Sequence, residues 1–111
     1  MTIMLFKITE KDKKSYHLEK DSQKACLLFL KTLKPEGFFF KVQQGAFSKI
    51  GISDIIGLYK GWFCAFEVKS ATGHPSALQK IFLSCVENAG GIGGIVRNPA
   101  DVKTILNTHF E

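Results

Sequence analysis

Arginine is nearly missing from this chain: of its 15 basic residues only Arg97 is one, and the others are lysines. Lysine meets a phosphate as a point charge, whereas arginine reads guanine edges with a bidentate fork, so base-specific readout is not the expected use of this charge. Cysteine is sparse too. Cys26, Cys64 and Cys85 are odd in number and never at C-x-x-C spacing, which argues against a disulfide framework and a zinc knuckle and favours a reducing, cytoplasmic compartment. No apolar run approaches the ~18–20 residues of a membrane helix, so no membrane partner is expected. The opening MTIMLFKITEKDKK lacks a basic lead and a small-residue cleavage site and does not read as a signal peptide. Repeats, low-complexity tracts and linkers are also lacking, and 111 residues suit one domain, residues 1–111, around one core. The net charge of +5 admits a polyanionic partner, although a surface kept charged for solubility explains it equally well.

What is present is an alternation of helical and extended patterns. Residues 2–8 suggest a short strand and 11–14 a charged connector. Ala25, Leu28, Phe29 and Leu33 recur at helical spacing within 19–33, and Pro35 and Gly37 stop that helix. Residues 38–42 are aromatic and β-branched enough for a strand, 43–49 form a polar loop, and 52–59 and 62–69 are two strong strands around a Lys60-Gly61 turn. Ser76 followed by Gln79 predicts a capping box opening a helix to about residue 88. Gly90-Gly91 end it, 92–96 is a short strand, and Asn98-Pro99 starts a last helix carrying Val102, Ile105 and Leu106 inward.

The chemistry concentrates in residues 52–69. Asp54 interrupts an apolar run where aspartate is a poor strand former. Glu67 does the same in the next strand, and Lys69, two residues on, shares its face. A two-residue turn at Lys60-Gly61 places Asp54 directly opposite Glu67, with Cβ atoms about 4.5–5.5 Å apart. Two facing carboxylates in an apolar sheet repel, so one tends to keep a proton unless a divalent cation lies between them. Hard ions such as Mg²⁺ bind through one or two carboxylates plus substrate phosphate, and a nearby lysine can orient water and stabilise the phosphate. The spacing thus supports metal-assisted phosphodiester hydrolysis. A plain ion pair between Asp54 and Lys69 fits it as well.

The series Gly51-Ile52-Ser53-Asp54, Glu67-Val68-Lys69 and Ser76-x-x-Gln79 resembles the PD-(D/E)XK nucleases, in particular the VRR-NUC branch found in phages and repair nucleases. The resemblance covers about residues 19–106, and Ser53 stands where many members have proline. It implies an α/β fold with a restriction-endonuclease-like αβββαβ core, a mixed central sheet flanked by helices. It also implies a Mg²⁺- or Mn²⁺-dependent DNA endonuclease, structure-specific in the manner of Holliday-junction resolvases and working as a homodimer. The cell would be a bacterium or a phage-infected host. Asp54 and Glu67 become metal carboxylates, Val68 lends its backbone carbonyl, and Lys69 is the catalytic lysine. Gln79 either supports the lysine and substrate or serves only as capping partner of Ser76. Glu19 either completes the site through water or is a solvated helix-start acid. A nuclease or nickase without junction preference, and a nucleic-acid-binding module without turnover, stand as alternatives.

Other residues carry weaker signals. His74 reads as a surface histidine after the catalytic strand, and His17 and His109 stand alone. The run 90–94 follows a helix and precedes a strand, the reverse of a phosphate loop. Gln43, Gln44, Ser48 and Lys49 are candidates for a groove wall before Asp54, and Arg97 for a phosphate contact or a salt bridge. Phe38–Phe40, Trp62 and Phe63 are expected in the core.

Overall fold

Lys60 and Gly61 both take positive φ, 50° and 84°, the backbone that a two-residue hairpin turn with the sheet's own twist requires. Around that turn the computed structural model, which describes residues 5–43, 45 and 50–111, pairs β2 (Ile55–Tyr59) antiparallel with β3 (Trp62–Val68), Tyr59 facing Trp62 and Ile55 facing Phe66. Strand β1 (Gly37–Lys41) adds antiparallel to β2, and β4 (Ile92–Val96) adds parallel to β3. The sheet order is β1-β2-β3-β4. The parallel pair needs a crossover, supplied by helix α2 (Ala77–Asn88). Helices α1 (Glu19–Lys31) and α3 (Pro99–Phe110) complete a mixed sheet flanked by helices.

One face of the sheet presents Ile55, Tyr59, Cys64, Phe66 and Val68 to Cys26 and Leu30 of α1 and Val102 and Leu106 of α3. On the other, Ala65 lies beneath Leu83 and Val86 of α2. Period-two alternation sorts the residues as the sequence suggests, with Glu67 on the face of Phe63 and Ala65. The Asn98 cap and Pro99 at the start of α3 are as expected.

Three expectations change. Of residues 2–8, 2–4 lie outside the described residues and 5–8 form no strand. Phe6 donates its N–H to Asn107 Oδ1 and its carbonyl accepts from Asn107 Nδ2, so a side chain of α3 takes the bonds a neighbouring strand would. The charged connector at 11–14 keeps that role, with a single 3-10 turn over 11–13. In α1 the fully buried positions are Ser22, Cys26 and Leu30; Phe29 and Leu33 pack against the core as expected, while Leu28 is 67% exposed. The inward stripe is turned from the one the larger apolar residues trace, because two small residues let the helix approach the sheet. Finally, Phe38, Phe40, Trp62 and Phe63 are exposed; only Phe39 of that aromatic run is core. Gln44, Ser48 and Lys49 lie outside the described residues, and Gln43 is exposed.

Candidate active site

Strand β2 begins at Ile55, one residue after Asp54, so the ladder with β3 stops just short of the expected Asp54–Glu67 pair. Asp54 continues it by other means. Its Oδ2 accepts the Val68 N–H at 2.8 Å, and its own carbonyl accepts the Val42 N–H at 2.8 Å. The carboxylate therefore closes the sheet end where another strand residue would have bonded. Because the N–H and C=O of one strand residue point the same way, the Val68 carbonyl also faces the Asp54 side.

Two further features fix that end. Gly51 has φ +76°, and a Cβ there would collide with the backbone carbonyl of Leu78. The chain before Asp54 is thus pressed onto the first turn of α2, which the Ser76–Gln79 capping box starts. Gln79 Oε1 accepts the Ser76 N–H at 2.7 Å, so its capping role is real, and its amide nitrogen stays available for another contact.

Glu67 is 1% exposed, and neither of its carboxylate oxygens accepts a hydrogen bond from the described residues. Burial first, then the charge of Asp54, pushes its pKa up to about 8. The Lys69 ammonium works against both, 3.5 Å from Glu67 Oε2. At that length the contact is an ion pair more than a directed hydrogen bond. The same ammonium lies 3.6 Å from Glu19 Oε1, which brings the start of α1 to the site. The ion-pair partners of Lys69 are Glu67 and Glu19, and Asp54 is not among them.

Sequence reasoning missed the support around the lysine. The Arg97 guanidinium donates to the carbonyls of Ser70 and Gly73, and a Cβ at Gly73 would lie 3.5 Å from the Lys69 side chain. Arg97 holds the loop that covers the lysine stem, a task its planar donor fork suits. Among the described residues it forms no salt bridge. The signal was its isolation as the sole arginine. His17, His74 and His109 do not gather; His109 instead packs edge-on against Trp62.

The donor set is all oxygen. Two buried oxygens that accept no hydrogen bond, beside a second carboxylate, suit a hard divalent cation. Among the described residues no three His, Cys, Asp or Glu side chains converge as a metal cluster. An ion here would rest on two carboxylates, a backbone carbonyl and substrate or water, which Mg²⁺ tolerates.

No protein-family model, curated protein or solved structure matches this chain significantly.

Proposed function

We propose that the chain is a Mg²⁺- or Mn²⁺-dependent DNA endonuclease of the PD-(D/E)XK type, close in kind to the VRR-NUC nucleases it resembles. The observation that carries this reading is the buried pair Asp54 and Glu67 at the end of β2 and β3, with Lys69 set 3.5 Å from Glu67. Keeping a carboxylate in an apolar place without hydrogen-bond donors costs stability, and such costs cluster where chemistry is done. That expense is hard to explain in a module that only binds.

Asp54, Glu67 and the Val68 carbonyl would hold the ion, with Glu19 reaching it through water. The bound ion would polarise a phosphoryl oxygen and acidify water. Lys69 donates to the phosphate as negative charge builds on it and orients the attacking water. Glu19 and Glu67 hold the ammonium between them, which keeps the lysine aimed. Gln79 opens α2 and can offer substrate its amide N–H groups. DNA is the proposed polyanion because the free charge is lysine, suited to backbone contact. Cutting both strands of a four-way junction asks for two sites, hence a two-fold homodimer.

The test is incubation with linear, nicked and four-way-junction DNA in Mg²⁺, Mn²⁺ or EDTA. Metal-dependent cutting strongest on the junction supports the full reading. Equal cutting of all three leaves a nuclease without junction preference. Binding without cutting in any metal overturns it.

A further inference from the structure

Three lysines stand around a groove at the same end of the molecule. Lys20 and Lys24 of α1 are one helical turn apart, Lys41 closes β1, and with Gln23, Leu27 and Ile55 they line a space of about 230 Å³. All three lysines are exposed, and none has an ion-pair partner among the described residues, unlike Lys13, Lys69 and Lys103. The position of the groove matters more than its charge. Ile55 directly follows Asp54, and Lys20 directly follows Glu19, whose carboxylate meets Lys69. Lys24 also lines a neighbouring hollow with Lys14, Tyr16 and His17, so the positive edge continues across α1, with Asp21 as the acid in it.

We infer that this lysine groove is a phosphate track, separate from the metal carboxylates, that seats the sugar-phosphate backbone of one DNA strand as it leaves the scissile position. The choice of DNA rests on the nuclease reading above. Cations a turn apart, ~6 Å along the helix, can meet successive phosphates without contacting bases. Leu27, partly exposed on the groove wall, offers an apolar contact to sugars, and a concave groove suits a strand better than it suits a flat lipid surface. Ion-paired lysines would give up a partner to bind phosphate; these would not.

The test is equilibrium binding of a labelled short duplex in EDTA over a salt series, for wild type and for the triple variant Lys20→Gln, Lys24→Gln, Lys41→Gln. The slope of log affinity against log salt should flatten by about 2–3, near 0.9 for each phosphate that a lysine no longer neutralises. The control is Lys34→Gln with Lys60→Gln, at the opposite end of the sheet, where the Lys60 N–H donates to the Glu36 carbonyl. It should leave the slope unchanged. An unchanged slope in the triple variant, or equal flattening in the control, overturns the track. Since EDTA removes the cation, the two readings fail separately. Wild type that cuts DNA in Mg²⁺ while the triple variant keeps its slope leaves the nuclease and ends the track. Wild type that binds with the expected slopes but never cuts ends the nuclease and leaves the track. A wild type that binds no DNA ends both.

Discussion

Glu67 is where the proposed function and the stability of the fold pull against each other. In the unfolded chain it ionises at its ordinary 4.5, but in the fold burial and Asp54 hold its proton to about 8. Between those values the folded state binds more protons than the unfolded state. Metal-free stability is therefore full below the lower value, falls as pH rises through the window, and levels off above it. Urea unfolding in EDTA across that window should show the fall, and Glu67→Gln, which cannot ionise, should flatten it. A wild-type stability that rises over the same window contradicts the assignment. Asp54→Asn tests the other half of the pair. Asparagine can still accept the Val68 N–H that Asp54 Oδ2 accepts, and the substitution removes a repelling charge, so the variant should melt no lower in EDTA. Wild type should gain melting temperature with Mg²⁺ or Mn²⁺, since the proposed ion would bind only where the fold assembles both carboxylates. Asp54→Asn should lose that gain; a variant that keeps it would show the ion lies elsewhere.

Among the elements, those with local chemical signatures were legible in the sequence. The turn at Lys60-Gly61, the Ser76–Gln79 capping box and the Asn98-Pro99 helix start each rest on a few neighbouring residues. Given the turn, alternation places Glu67 and Ala65 on one face and Phe66 and Val68 on the other. The inward face of α1 was legible only in part: Phe29 and Leu33 pack inward, but the centre of the face is chosen by how closely Ser22 and Cys26 let the helix approach. The fate of residues 5–8 was not legible, since Asn107, which holds Phe6, is distant in sequence. At the site, Asp54, Glu67 and Lys69 could be named, but not the groups that seat them. Gly51 is the clearest such device. Gly51→Ala combines a positive φ with a clash against the Leu78 backbone and should cost about 1–3 kcal/mol or more. It should also weaken the metal response by displacing Asp54, whereas Ser76→Ala should cost ~1 kcal/mol and leave that response in place. Thermal melts with and without Mg²⁺ check both, and a metal response abolished equally in the two variants would contradict the distinction.

At the scale of the whole molecule, the sheet face that bears Glu67 is only partly covered. Helix α2 shields Ala65, but Phe38, Phe40, Leu58 and Phe63 remain exposed, as do Leu78 and Ile81 on α2. Among the described residues no helix is long and apolar enough to cross a membrane. The proposed homodimer is read by light scattering, which should give twice the chain mass at micromolar concentration. A chain that is monomeric yet cuts junctions would refute it.

The most direct test of the central claim is cleavage of DNA in Mg²⁺ by wild type and by Lys69→Ala, purified side by side, with binding of each measured in EDTA. Lys69 sits between Glu67 and Glu19, and in the proposed reaction it would act on the phosphate, so its loss should lower cleavage by roughly 10²–10³-fold while affinity changes little. Cleavage by Lys69→Ala at the wild-type rate, in protein free of contaminating nuclease, would contradict it.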